Sequence, residues 1–408
     1  MLRRTAVRQP DRVAITHLRS DTQRVSLTYA ELDRRARGIA AWLLDRHAKD
    51  QRVILAYPTG FDFIAAFFGC LYAGAQPVPQ AAYMRPRSLQ KLSAVAADCR
   101  AVIALTDNPT LTRLSESGAM VAGLEWVASD RIAAGEASVS PVPTDISSLA
   151  YLQYTSGSTS QPRGVRISHH NLMAQLRDLV GTYRADARDV LVGWLPHFHD
   201  MGLVGTLLAS VYLEAHSVIF STLQFIQRPA RWLQAISDFH GTVSTAPNFG
   251  YELCLNKIAP QEREAFDLSS WRVALNGAEP VRPETHRRFL AAFAASGLRA
   301  EALSPCYGLA EATLMVSTSR PWLPAQIDAF NRESIACRRP VASEAAGTDA
   351  VEMVGCGAPN DGVKVAIVDP KAQGCPMARS ARSGSRATAS LRAILEHPKP
   401  RPRPLALA

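Results

Sequence analysis

Residues 52–77 spell out a strand, a helix and a turn in quick succession, and this constrains the fold more than any other stretch. Arg52-Val-Ile-Leu-Ala-Tyr57 is an apolar run of strand length ended by Pro58, and residues 61–72 are apolar on every side until Gly74, with Pro77 just beyond. A helix without a polar face has to be buried, and a strand without polar alternation has to be covered on both sides. Only a sheet layered between helices meets both demands.

The same alternation runs along most of the chain. Thr28-Tyr-Ala-Glu31 is a capping box, followed at helical spacing by Leu32, Ala36, Ile39, Ala40, Leu43 and Leu44. A helix is expected over 88–97 and a strand over 101–105, with residues 138–144 as a linker. Strands then follow at 190–194, 217–220, 242–245, 271–275 and 302–306, separated by helices at 202–213, 229–239, 249–258 and 283–295. The expected fold class is α/β: two packed α/β subdomains over residues 1–320, their sheets flanked by helices. Residues 321–370 read as an insertion-like segment and the start of an incomplete β-rich third subdomain, with one clear strand at 363–369. Residues 371–408 show no periodicity and several Lys/Arg-Pro steps, and are expected to be disordered.

One loop stands apart from this pattern. Residues 154–165 read YTSGSTSQPRGV, between a strand-like run at 149–154 and Ser168, which reads as the N-cap of a helix. Thr155, Ser156, Gly157, Ser158 and Thr159 offer hydroxyls and backbone N–H groups with almost no side-chain bulk. Such a turn can curl its N–H groups around an anion, to which each hydroxyl adds a donor. A flexible Ser/Gly surface loop is the structural alternative. The Walker pattern is excluded, because no Gly-Lys-Ser/Thr follows.

Composition rules out several classes. The chain is 47% hydrophobic and 20% charged, as soluble globular proteins are. Its seven cysteines are scattered with no Cys-x-x-Cys, which suggests reduced thiols in a cytoplasmic protein. No h-region of a signal peptide is present, and the longest apolar run, 63–75, is too short for a transmembrane segment. The formal charge is +9, but residues 371–408 hold eight Lys or Arg against one acid and so carry +7 of it. The body is near neutral, and nucleic acid is not an expected partner.

Three short stretches end strands in order: YTSGSTSQPRGV, Asn276-Gly-Ala-Glu-Pro280 and Cys306-Tyr-Gly-Leu-Ala-Glu-Ala-Thr313, with Leu195-Pro-His-Phe-His-Asp-Met-Gly-Leu203 between the first two. This order and spacing resembles the adenylate-forming enzymes, and within them most resembles the fatty acyl-AMP ligases. Supporting stretches are FFGCLYAG at 67–74, FIQRPARWLQAI at 225–236 and APNFGYEL at 246–253, and the resemblance covers roughly residues 8–370.

The resemblance implies ATP-dependent activation of a fatty acid to acyl-AMP, with release of pyrophosphate and Mg²⁺ as the metal. On that analogy Thr155, Ser156, Gly157, Ser158 and Thr159 cradle the β- and γ-phosphates, with Arg163 as a nearby cation. Thr159 and Glu311 approach Mg²⁺, a hard cation that takes oxygen ligands. Gly277, Ala278 and Glu279 offer backbone to adenine, and Tyr307, followed by Gly308, stacks on it. His199 donates to the reacting carboxylate, and Leu203, Phe249 and Tyr251 wall an alkyl tunnel. Residues 321–350 resemble the insertion that directs the acyl group to an acyl carrier protein of a polyketide or nonribosomal synthase rather than to CoA.

Each assignment has a plainer counterpart. His197, His199 and Asp200 could be metal ligands, but no further Cys/His cluster accompanies them. His199 could be a satisfied loop histidine, Glu311 a first-turn acid beside a helix dipole, and Tyr307 ordinary core. After residue 369 the motifs expected of the family, including its ribose-gripping Asp and the catalytic Lys of a small C-terminal domain, are not found. A break in reading frame near 371–377 would account for the change, and would leave a truncated, poorly active ligase with a basic tail. The rival functions are an acyl-CoA synthetase, an amino-acid adenylation domain, and a non-catalytic nucleotide- or lipid-binding remnant.

Overall fold

Strand Arg52–Tyr57 lies at the centre of a four-stranded parallel sheet, between Gln76–Ala81 and Ile103–Thr106, with Glu125–Ala128 at the edge. The computed structural model describes residues 1–82, 86–133, 139–155, 162–320, 322–336, 341–343, 349–368 and 392–396. Helix Phe61–Ala73 buries nearly its whole circumference and ends at Gly74, whose φ of 70° is the left-handed geometry that glycine accepts without strain. It packs against helix Tyr29–Asp45, which starts at the expected capping box of Thr28 and Glu31.

The second sheet has nine strands. From one edge their order is Ala358–Pro359, Met315–Thr318, Leu303–Gly308, Val273–Asn276, Val243–Ala246, Val190–Gly193, His216–Ile219, Val13–Leu18 and Arg24–Thr28. From Leu303–Gly308 through Val13–Leu18 all neighbours are parallel, and antiparallel strands close both edges. The chain leaves Val190–Gly193 for His216–Ile219 on one side, then returns to Val243–Ala246 on the other. The order therefore reverses at Val190–Gly193, and a crevice opens beyond its carboxyl end, where open α/β sheets bind ligands.

Four findings differ from the sequence reading. Val13–Leu18 and Arg24–Thr28, not read as strands from the sequence, join the second sheet rather than the first, with Ile15 opposite Ser217. The anion loop joins two strands rather than a strand and a helix. Leu149–Thr155 pairs antiparallel with Arg163–Ser168, placing Thr155 opposite Arg163, and only then does Ser168 cap helix His169–Tyr183 in a capping box with Asn171. Third, within residues 371–408, expected to be disordered, Arg392–Glu396 pairs antiparallel with Lys364–Val368. Residues 392–396 read Arg-Ala-Ile-Leu-Glu, and a short apolar run needs only a partner edge, which composition does not reveal. The segment expected as one helix over 202–213 is α-helical at Asp200–Gly202 and Ala209–Leu213, with a π-helix at Leu203–Leu208 between them.

Helices on the second sheet are held by aromatic packing. Trp232 is fully buried, lies edge-on to Trp194, Phe225, Tyr251 and Trp271, and donates its indole N–H to Ser244 Oγ at 2.8 Å. Trp194 in turn stacks on Phe225 at 3.8 Å. Replacing Trp232 by Ala empties this junction and leaves the Ser244 hydroxyl one bond short. Urea unfolding of Trp232→Ala is expected to show a loss of about 3–5 kcal/mol with little change in slope.

Candidate active site

The parallel strands bring the motif loops to one place. Asn276-Gly-Ala-Glu-Pro280 leaves Val273–Asn276, Tyr307 and Gly308 end Leu303–Gly308, and the histidine loop leaves Val190–Gly193. These carboxyl ends, together with Thr155 at the end of Leu149–Thr155, enclose a cleft of about 360 Å³. Thr155, His199, Ala278, Tyr307, Gly308 and Glu311 all line it.

The local reasons differ from residue to residue. Tyr307 is 47% exposed and lines the cleft, so it is a cleft wall rather than core. Glu311 stands exposed on the short 3₁₀ turn Ala310–Ala312 and faces the same space. That turn is too short to have a helix dipole worth offsetting, which removes the structural reading of Glu311. Gly308 permits a close approach, since a Cβ there would lie 1.9 Å from the Leu314 carbonyl oxygen.

The residues of the loop Asn276-Gly-Ala-Glu-Pro280 divide. Ala278 adopts a left-handed φ of 67° and lines the cleft. Gly277 is buried against the neighbouring strand, where a Cβ would meet Cys306 Sγ at 2.6 Å. Its small size is thus demanded by strand packing, not by a flat ligand ring. Glu279 turns its carboxylate away and accepts the Phe249 N–H at 2.6 Å, at the N-terminus of helix Asn248–Lys257. Neither Gly277 nor Glu279 is among the residues lining the cleft.

Ser156, Gly157, Ser158 and Thr159 lie outside the described residues. Their flanks are placed: Thr155 at the cleft and Arg163, exposed, opposite it across the hairpin. Arg163 does not line the cleft.

His199 and His197 sit in contrasting surroundings. His199 is half exposed, and its Nδ1 lies 2.8 Å from Asp200 Oδ1. Burial alone would lower its pKa, but the hydrogen bond and negative charge of Asp200 outweigh that and raise it above the ordinary histidine value. His197 is buried against the Phe63 ring at 5.3 Å, and its Nδ1 has no hydrogen-bond partner among the described residues. Burial, with a smaller contribution from His17, pushes its pKa down to about 3. The two side chains share no ligand sphere, and no group of three or more His, Cys, Asp or Glu among the described residues could hold a metal ion.

The apolar wall is not the one expected from sequence. Leu203 and Tyr251 are fully buried in the core, Phe249 is 44% exposed, and none of the three lines the cleft. The wall comes instead from Leu179 and Tyr183 on helix His169–Tyr183, Gly205 on the π-helix, and Leu314 and Met315 beside strand Met315–Thr318. The Tyr183 hydroxyl lies 2.9 Å from Met315 Sδ. The helical spacing of Leu172, Leu176, Leu179 and Tyr183 was readable as a buried face, but which end of that face meets a cavity is not encoded in periodicity. A second hollow, about 290 Å³, shares Thr155, His199 and Asp200 with the first and is also lined by Lys91, Gln153 and Tyr154.

Comparison with known proteins agrees with this geometry. The family model described as AMP-binding enzyme matches residues 2–381. A medium-chain-fatty-acid–[acyl-carrier-protein] ligase, JamA, from Moorena producens is 42% identical over 374 residues, covering 89% of this chain and 63% of that protein. The long-chain-fatty-acid–AMP ligase FadD23 from Mycobacterium tuberculosis is 35% identical over 344 residues, covering 81% of this chain and 59% of its own length. A crystal structure of the fatty acyl-adenylate ligase from L. pneumophila, in complex with acyl adenylate and pyrophosphate, superposes with a TM-score of 0.85 at 34% identity, covering 91% of this chain and 64% of that one. The chain belongs to the AMP-binding enzyme family, and these relatives are its fatty acyl-AMP ligases. It spans a little under two thirds of the length of the curated relatives it matches, 63% of the first.

The buried histidines generate a pH prediction. His197 titrates at about 3, and His17, His216 and His286 at about 4, all below the value of 6.5 expected once unfolded. Below pH 6.5 the unfolded chain therefore binds more protons, so stability is full above that pH and is lost as pH falls towards 4. The His197→Asn variant is expected to lose stability less steeply between pH 5.5 and 4, by about 1.4 kcal/mol per pH unit. Urea denaturation across that range measures the two slopes.

Proposed function

We propose that the chain activates a fatty acid by adenylation. A carboxylate oxygen attacks the α-phosphorus of ATP, the bond to the β-phosphate oxygen breaks, and acyl-AMP and pyrophosphate are formed. One observation carries this reading: Thr155, Tyr307, Glu311 and His199 line a single cleft whose remaining wall is largely apolar. Polar groups suited to a nucleotide and apolar surface suited to an alkyl chain thus share one cleft with His199. The likeness to acyl-AMP ligases supports the same assignment.

Carboxylate and triphosphate repel each other, so the site has to neutralise charge and hold the two in line. The loop of Thr155, Ser156, Gly157, Ser158 and Thr159 would receive the phosphates on N–H and hydroxyl donors, with Arg163 as a neighbouring cation. Tyr307 would stack on adenine, beside the backbone at Ala278 and Gly308. A protonated His199, favoured by Asp200, would hold the acid's carboxylate. The donor set fits a magnesium ion carried by the nucleotide: Mg²⁺ keeps most of its water and phosphate ligands and takes one or two protein oxygens. Glu311, on the cleft wall, and Thr159 would supply them. The ion would draw off charge from the phosphate oxygens as pyrophosphate departs.

The acyl group would then pass to the thiol of an acyl carrier protein of a polyketide or nonribosomal synthase. The carrier-linked activity of JamA supports this over transfer to CoA. A cytoplasmic setting accords with the free state of Cys70, Cys99, Cys254, Cys306 and Cys356. No helix among the described residues is long and apolar enough to cross a membrane.

Acid-dependent exchange of labelled pyrophosphate into ATP tests the reaction. Exchange should appear with a fatty acid and fall on the order of 10²–10³-fold in Glu311→Gln, where a transition-state contact is lost. A chain that binds nucleotide and shows no exchange with any fatty acid is a binder, not a ligase. In a thioester assay, radiolabelled acyl group should accumulate on a phosphopantetheinylated carrier protein and not on free CoA.

A further inference from the structure

Strand Leu149–Thr155 is buried over most of its length, yet it carries a polar stripe. Side chains two apart share a face, so Tyr151, Gln153 and Thr155 point the same way. Gln153 is 3% exposed and donates from Nε2 to the Phe198 carbonyl at 2.7 Å, one residue before His199. Tyr151 lies close enough for its titration to feel the charge of Asp200. The strand that begins the anion loop therefore also grips the histidine loop from beneath.

Asp200 completes the arrangement. Its Oδ1 accepts the Met201 backbone N–H at 2.7 Å and lies 2.8 Å from His199 Nδ1. The same N–H is 3.3 Å from Nδ1, so the carboxylate is its better acceptor and Nδ1 is left to act as a donor. Asp200 is 9% exposed, whereas the His199 ring is half exposed and borders both hollows.

We propose that Asp200 is a positioning residue for His199. Its carboxylate accepts a hydrogen bond from Nδ1–H, fixes the tautomer, leaves Nε2 as the nitrogen available to the cleft, and with Gln153 holds the ring in register with the anion-loop strand. This rests on the reading of His199 as the donor to the substrate carboxylate. Other titratable groups border the same space. Lys91 faces the second hollow, Glu311 and Tyr307 face the cleft, Tyr154 lies on the strand, and Tyr151 and His197 lie below. Burial keeps Tyr151 and His197 neutral, so among the residues on the histidine loop itself Asp200 supplies the charge in direct contact with the ring.

Two measurements on the full chain test this. The first is an NMR titration of the protein labelled with ¹³C and ¹⁵N histidine, with the His199 signals identified by their absence from His199→Gln. The neutral ring should carry its proton on Nδ1 and titrate above free histidine. In Asp200→Asn, which keeps a hydrogen-bond acceptor but loses the charge, the pKa should fall by about one unit. A proton on Nε2 in the unaltered protein overturns the proposal without recourse to any variant, and so does an unchanged pKa in Asp200→Asn. The second is the pH profile of pyrophosphate exchange. The alkaline limb of kcat/KM for the acid should move about one unit lower in Asp200→Asn, an approximately tenfold loss on that side. A uniform loss at every pH would mark Asp200 as merely structural and overturn the assignment. If the unaltered chain shows no exchange, the adenylation reading fails, and the tautomer and pKa of His199 decide the positioning role by themselves.

Discussion

The arrangement of this molecule depends on strand direction. Val190–Gly193, Val243–Ala246, Val273–Asn276 and Leu303–Gly308 all run parallel, so their carboxyl ends finish along one edge of the sheet. Loops separated by roughly a hundred residues are thereby delivered to the same crevice. The order reversal at Val190–Gly193 parts the neighbouring connections and opens room for a ligand beside the histidine loop. Side chains decide what the crevice can do, but the backbone decides that there is one.

Packing then determines which side chains are available. Glu279 is used to cap a helix and Gly277 to let two strands approach, so this loop offers the cleft chiefly Ala278. His197 is spent on the core beside Phe63, while His199, two residues on, is held at the surface by Asp200. A two-residue offset places one imidazole in an apolar pocket and the other against a carboxylate. Their pKa values are driven in opposite directions as a result. The same logic separates Leu203, in the core, from Gly205, on the cleft wall.

Much of the fold could be read directly because its signals are local. The capping box at Thr28, the N-cap at Ser168 and the stop at Gly74 act within four residues, and each appears where the chain predicted it. Pairing partners were harder to foresee. Nothing in Val13–Leu18 says that it joins His216–Ile219 rather than the nearer sheet, because an extended strand accepts any edge of suitable twist and burial. Strand Arg163–Ser168 was hidden for a related reason. Its two arginines and Gly164 mask the alternation that marks a half-buried strand, and Tyr154 across the hairpin fills the space beside the glycine.

The α/β class, the order of the motifs, and the residue types they carry (hydroxyls, a small-residue turn, an aromatic ring, a carboxylate and a histidine) were legible in the amino acids alone. That is because they depend on residue identity and short-range spacing. Folding assigned the apolar wall to Leu179, Tyr183, Leu314 and Met315 rather than Leu203, Phe249 and Tyr251, and set the Asp200 carboxylate against His199. Those choices depend on which faces meet when helices dock on a twisted sheet. That geometry is set by long-range packing, and a local pattern carries no record of it.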